Sequence, residues 1–400
     1  MVEAFRSPIG RFMGKLSSFS AVQLASEVVK GTFERSDVDK KLIEEAIIGN
    51  VLSAGQGQNP AKQVVMYSDL PKSIATVNVN MVCASSLKAI ALAAQAVKGN
   101  DMNMVLAGGM ESMSNAPHTI KGLRSFRKYG NIELNALYDY SVNTGKKYDL
   151  TDEMINAGLW DCYADAHMGT LAEMIGPKDK ITREEQDEFA YQSHMKAAAA
   201  VDSGKFASEI IPIKLKDNSV LSNDEGIRRD TGISELSRLK PVFSESGTVT
   251  AGNSSQLSDG AAMTIITSKN IVDEYTLKPI AKIESYADSG IDPRWYGLSP
   301  IDSMNNALKK SGHNLDDMDL VEINEAFCVQ VLGVAKEMNI DMEKLNVNGG
   351  ATALGHPLGA TGAILAIKVA HALADRKKDL GIISLCHGGG GSSSMVISRV

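Results

Sequence analysis

The chain has 400 residues, 44% of them hydrophobic, enough for two or three domains with substantial cores. Its net charge is −7, with Lys and Arg scattered rather than massed, which argues against a broad nucleic-acid surface and leaves room for a local phosphate pocket. The cysteines Cys83, Cys162, Cys328 and Cys386 show neither metal-ligand spacing nor the density of a disulfide scaffold, so no metal is expected and a reducing, cytoplasmic setting is.

No apolar run is expected to reach the roughly 18 residues of a membrane span, and no signal peptide is expected ahead of Val2. From the N-terminus, Val2 to Phe5 reads as a strand, Ala21 to Phe33 as a helix and Ala46 to Asn50 as a strand. The same order returns later as Ile280 to Ile283, Ile301 to Lys310 and Leu320 to Asn324. Each series then reaches Asn-Val-Asn, at Asn78 to Asn80 and Asn346 to Asn348, before a turn, a helix, an apolar strand and glycines. Strands alternating with helices imply α/β layers, and the recurrence implies two duplicated halves.

In the first half the helix Ala84 to Lys98 sets Leu87, Ile90, Ala91, Ala94 and Val97 on one face. In the second, Thr361 and Gly362 open the corresponding helix. Cys83 and His356 would then follow equivalent strands at the mouths of equivalent helices. Residues 117–256 break the repeat and read as an inserted domain of loops and helices. Within it Thr182 caps a helix with Glu185 three residues on, and the helix stops near Gly204. The divisions expected are 1–116 with 257–278, the insertion 117–256, and 279–400.

A cysteine on an apolar helix is by itself more often a small buried hydrophobe than a nucleophile. At a helix N-terminus, unpaired N–H groups and a partial positive charge would lower the pKa of Cys83 and favour attack on a thioester carbonyl. His356, in the glycine-rich turn Gly355-His356-Pro357, can take its proton. Cys386 follows the apolar strand Gly381 to Leu385 and precedes a glycine run whose N–H groups can donate to an oxyanion or simply form a tight turn. Asn324 and Glu325 end a buried strand, where they either cap the next helix or orient a water or a histidine.

These segments, with Gly108-Gly109-Met110-Glu111-Ser112-Met113-Ser114, His167-Met168-Gly169 and Thr250-Ala251-Gly252-Asn253-Ser254-Ser255, closely resemble the thiolases over the whole chain. The resemblance implies two mixed-sheet halves stacked as five layers, α-β-α-β-α, with a loop domain over the active site. By resemblance Cys83 is the acylated nucleophile, His356 its base and Cys386 the acid/base at the acetyl methyl group. The N–H groups of Cys83 and Gly388 look like one oxyanion hole, and His356 with a water on Asn324 like the other. Ser255, His167 and Met168 resemble contacts to the pantetheine arm, Phe243 and Phe327 pocket walls, and Arg228 or Arg229 a neighbour of the CoA phosphate.

His-Met-Gly is similar to family members that join two acetyl-CoA molecules, with CoA and acetyl-CoA as substrates and no cofactor required. A 3-ketoacyl-CoA thiolase of broader chain length and an inactive acyl-CoA-binding paralogue are the alternatives. A homo-oligomer, dimer or tetramer, is implied too. Ser86 and His387 depart from the family pattern: Ser86 is expected to crowd the helix entry and His387 to alter acid/base tuning.

Overall fold

The computed structural model describes residues 1–400. The first half contributes β1 (Glu3–Arg6), α1 (Ala21–Arg35), β2 (Glu45–Gly49), β3 (Ala75–Val79), α2 (Ser85–Lys98) and β4 (Met104–Ser112). After the inserted segment, whose main helix is α3 (Arg183–Asp202), β5 (Ser258–Thr267) returns to the first sheet. The second half contributes β6 (Ala281–Gly290), α4 (Pro300–Ser311), β7 (Leu320–Ile323), α5 (Cys328–Met338), α6 (Ala351–Leu354), α7 (Leu358–Arg376), β8 (Leu380–His387) and β9 (Gly391–Arg399).

The sheets run β1-β5-β4-β2-β3 and β6-β9-β8-β7. In each, the first two pairings are antiparallel and the next is parallel. This shared order is the duplication seen in three dimensions. The second Asn-Val-Asn, however, does not form a strand equivalent to β3: only Leu345 bridges to Val321. Asn346 has φ +46, and its side chain pairs with Ile323 instead, accepting from Ile323 N and donating to Ile323 O, both at 2.9 Å. A side-chain amide here replaces the backbone ladder.

Strand alternation builds the layers. Met104, Leu106 and Met110 of β4 face α1, whereas Val105 and Ala107 face the middle of the molecule. On β8, Ile383 and Leu385 face the middle, while Ile382 and Cys386 join the core formed with α4 and α5. The order is therefore α1, first sheet, α2 with α7, second sheet, α4 with α5: five layers around three apolar interiors. Each fully buried Leu or Ile of the middle interior contributes about 1.5–3 kcal/mol.

Helix α7 occupies the centre. Leu358 through Ala370 are buried without a break, and the helix is long and apolar enough to cross a membrane, contrary to the expectation that no run would be. Its apolar surface is covered by protein on every side, and Lys368 within it pairs with Glu322. It starts three residues before the expected Thr361. Helix α2 is likewise wrapped more completely than one apolar face, with Ala89 and Ala93 buried beside Leu87 and Ile90. The two approach closely because Gly362 has no side chain: a Cβ there would lie 2.5 Å from Leu87 N.

At the same contact Ser86 does not crowd the helix entry. It is fully buried and its Oγ accepts from Ala363 N at 2.9 Å, joining α2 to α7. Helix α3 forms with the Thr182–Glu185 capping box and ends at Ser203, before Gly204 at φ +71.

Candidate active site

Cys83 lies two residues before α2, and His356 two residues before α7. Between β3 and α2 the chain turns through Val82 at φ +47, a costly conformation for a β-branched residue. Ser85 holds this turn, its Oγ accepting from Met81 N (2.9 Å) and donating to Val82 O (2.6 Å). The turn presents a half-buried Cys83 with its own N–H directed at its sulfur. A second N–H, from Gly388, reaches the same sulfur. Gly388 begins the turn between β8 and β9, so the glycine run is a strand-to-strand turn as well as a source of N–H donors.

The expected lowering of the Cys83 pKa is not what the structure gives. Burial pushes the thiol up to about 12, against the two N–H groups that pull it down, and the Glu111 carboxylate pushes it further up. No cation stands beside the sulfur to reverse this, because burial holds His356 down at about 4 and therefore neutral. The resting pair is thiol and imidazole, not thiolate and imidazolium.

His356 is held at its backbone N–H and at both ring nitrogens. Its backbone N donates to Gln256 O (3.0 Å) and Ser258 Oγ (3.2 Å). Thr361 Oγ1 donates to Pro357 O at 2.9 Å and lies 2.7 Å from His356 Nδ1, so the hydroxyl proton is already used and Nδ1–H must be the donor. Nε2 is left as a lone pair, accepting from Asn324 Nδ2 at 3.3 Å. Asn324 Oδ1 is buried without a protein partner, a group suited to holding a water.

Glu325 does not cap α5. Its carboxylate accepts from Ser193 Oγ, Asn346 Nδ2 and Thr352 N, tying α3 to α6 and to the segment that carries His356. Cys386 is the penultimate residue of β8 rather than following it, and is buried. Burial, then the nearby Cys83 charge, raises its pKa far above the ordinary thiol value.

Of the residues expected at the pantetheine arm and the pocket walls, three aromatic rings touch. His167 stacks on Phe243 (4.8 Å between centroids), and Phe243 meets Phe327 edge-on (5.9 Å). Met168 Sδ lies near Gly388, and Ser255 N donates to Ala326 O beside Phe327. Arg229 is engaged by Asp202 on α3, whereas the Arg228 backbone N donates to His194 Nδ1. Three residues of this centre were not singled out for it. Thr361 sets the imidazole tautomer. Glu111 accepts from Val51 N, Leu52 N, Gly359 N and Asn50 Nδ2. Buried Tyr296 donates to Met168 O, and the charge of either thiolate would act on its hydroxyl. Helical spacing marked Thr361 only as a helix opener, and nothing in the sequence marked Tyr296. A groove of about 880 Å³ between α3 and α5 reaches Glu325 but neither thiol.

A cysteine in a strained strand-to-helix turn, a neutral imidazole of fixed tautomer and converging backbone donors make a cysteine-dependent acyl-transfer centre. Residues 1–270 match the thiolase N-terminal domain and residues 277–399 the thiolase C-terminal domain. The chain belongs to the thiolase family. It is 42% identical to the acetyl-CoA acetyltransferase of Escherichia coli K12, over 100% of this chain and 98% of that one. Human mitochondrial 3-ketoacyl-CoA thiolase superposes with a TM-score of 0.93 at 36% identity, covering 100% of this chain and 98% of that chain. A thiolase from Ascaris suum, in complex with coenzyme A, gives 0.90 at 39% identity, covering 100% and 99%.

Proposed function

We propose that this protein is an acetyl-CoA C-acetyltransferase, condensing two acetyl-CoA molecules reversibly to acetoacetyl-CoA and CoA through an acetyl group on Cys83. The observation that carries this reading is a second buried thiol, Cys386, beside a cysteine whose sulfur already faces two backbone donors. Hydrolysis of a thioester would need one nucleophile. A second thiol supplies the proton chemistry of carbon–carbon bond formation.

In the first half-reaction Cys83 Sγ attacks the acetyl carbonyl as its proton passes to His356 Nε2, and the oxyanion lies between the N–H groups of Cys83 and Gly388. The C–S bond to CoA breaks, and the departing sulfur takes the proton of Cys386. Imidazolium and the Cys386 thiolate remain. In the second half-reaction that thiolate removes a methyl proton from another acetyl-CoA, whose enolate oxygen is held by His356 Nε2–H and a water on Asn324. The enolate carbon attacks the acetyl group, and Cys83 leaves and recovers its proton from His356.

Ser255, His167, Met168, Phe243, Phe327 and Arg228 are read as the CoA side of the site, supported by the aromatic stack beside Met168. CoA and acetyl-CoA are substrates, and beside them the scheme uses protein groups and one water on Asn324. A cytoplasmic homo-oligomer is part of the reading. Four free thiols fit a reducing compartment, and β3, a half-exposed edge strand, fits contact with a second copy. The likeness to human 3-ketoacyl-CoA thiolase favours one second reading, cleavage of longer 3-ketoacyl chains.

The test is CoA-dependent cleavage of acetoacetyl-CoA beside a longer 3-ketoacyl-CoA, with Cys83→Ala as control. Preference for acetoacetyl-CoA, lost in the variant, is expected. Preference for the longer substrate selects the second reading, and cleavage of neither sinks both.

A further inference from the structure

The mechanism above uses the Gly388 N–H but leaves unexplained what holds it in place. Gly388 sits in a run of glycines, and Gly389 and Gly390 have φ +82 and +79. Such a run has wide conformational freedom, so an N–H donor within it needs an external constraint. One peptide plane in the run is gripped at both of its polar atoms. The carbonyl of Gly388 accepts from His387 Nδ1 at 2.8 Å, and the N–H of Gly389 donates to Asp161 Oδ2 at 3.2 Å.

Because those atoms belong to one rigid plane, fixing both fixes ψ of Gly388 and φ of Gly389. Each gripping group is itself anchored. Asp161 is buried, and its Oδ1 accepts from Tyr163 N (3.0 Å) and Ala164 N (2.8 Å) within the inserted segment. His387 pairs across the hairpin with Gly391, and its ring occupies the space a side chain there would fill: a Cβ on Gly391 would lie 2.1 Å from His387 Cε1.

The tautomer follows from the partner. A carbonyl only accepts, so Nδ1 carries the proton. Nε2 is buried without a partner, and burial holds the ring below the ordinary histidine pKa. Asp288 on β6 is the carboxylate whose charge reaches the ring, and it is already engaged by Lys88 Nζ of α2 and Ser393 Oγ of β9.

We propose that His387 and Asp161 are positioning residues that clamp the Gly388–Gly389 peptide from opposite sides and so, with the preceding His387–Gly388 peptide anchored at the end of β8, keep Gly388 from rotating and its N–H aimed at Cys83. The inference rests on the reading of that N–H as an oxyanion donor. It gives His387 a mechanical task beside the acid/base thiol, and it couples the inserted segment to the chemistry through Asp161.

Single-turnover acetylation of Cys83 by acetyl-CoA tests it, followed by CoA release and by the mass of the intact protein, with thermal melting of each variant. His387→Leu should slow acetylation roughly tenfold or more, within the 10²–10³ that outright loss of an oxyanion donor costs, with little change in half-saturation by acetyl-CoA. His387→Asn, whose amide N–H stands where Nδ1–H stood, should recover most of the rate. His387→Gln, whose amide reaches toward the Nε2 position, should not. Asp161→Asn, which sets an N–H against the Gly389 N–H, should also slow the step.

Acetylation of His387→Leu at the wild-type rate, or equal slowing in the Asn and Gln variants, overturns the clamp alone. Should the Leu variant not melt cooperatively, the Asn and Gln pair decides by the same comparison. A wild-type Cys83 that acetyl-CoA leaves unmodified overturns the functional reading and the clamp with it.

Discussion

Cys83 and His356 stand at matching places in the duplicated halves, each two residues ahead of a helix of the middle layer, and their surroundings differ sharply. The Cys83 turn is strained at Val82 and presents a half-buried residue whose sulfur faces N–H groups supplied by the backbone rather than by side chains. The His356 turn is buried, and side chains specify the ring completely, through Thr361 on one nitrogen and Asn324 on the other. One copy of the repeat has become a presented nucleophile and the other a fixed base. Duplication supplied the two positions, and the packing around each divided the labour.

The strongest way to break this comparison is to remove the base. His356→Ala should slow acetylation of Cys83 by ~10²–10⁴, the usual reach of a positioned acid/base, and should slow iodoacetamide alkylation of Cys83 as well. In the intact protein the rate should fall as pH drops through about 4, not near the ordinary histidine value, because only the neutral ring accepts the proton. Stability follows the same sign. Below pH 6.5 the unfolded chain binds a proton that folded His356 refuses until about 4, so this residue's effect lowers stability as pH falls across that window. Denaturant titrations at pH 7 and pH 5 should differ less in His356→Ala.

A finer cut leaves the base and frees its orientation. Thr361→Val keeps the volume but strands the Nδ1 proton in a buried site, at about 1–3 kcal/mol in stability. Acetylation should slow roughly tenfold, read by the same single-turnover assay as the tautomer loses its definition. Unchanged kinetics would show that the tautomer is set elsewhere. The smallest effect is expected where the two helices touch. Ser86→Ala removes the bond to Ala363 N and should cost about 1 kcal/mol in chemical denaturation, with acetylation nearly unaffected. A gain in stability would mean that Ser86 crowds the entry after all.

Much of the fold was legible because periodicity follows from layering. β1, α1 and β2 lie within a residue or two of their expected bounds, and the Thr182 and Glu185 box marked the start of α3 correctly. Strand β6 ran to Gly290, well past Ile283, because a strand paired along its length with β9 needs no continuous apolar signal. The missing second strand at Asn346 was hidden for a related reason: the letters Asn-Val-Asn are the same, and only tertiary contact decides whether an asparagine side chain or the backbone makes the ladder.

The chemistry divides similarly. Cysteines and histidines announce themselves, and the structure pairs Asn324 with His356 and sets Cys386 within range of the Cys83 charge. The direction of the Cys83 pKa was not legible, since a helix terminus is visible in sequence and the burial that outweighs it is not. Thr361 and Asp161 act through single hydrogen bonds to distant partners, which leave no periodic trace.

Helix α7 has a consequence for how the molecule is made. It covers the inner faces of both sheets, yet it is encoded at residues 358–376, after nearly nine-tenths of the chain has been synthesised. Until then α2 alone shields Val105, Ala107, Ala262 and Ile266 of the first sheet from the middle of the molecule. The N-terminal half therefore leaves the ribosome with its inner face half covered, and the late segment that completes the cover also carries His356. Closure of the interior and completion of the catalytic pair are one event.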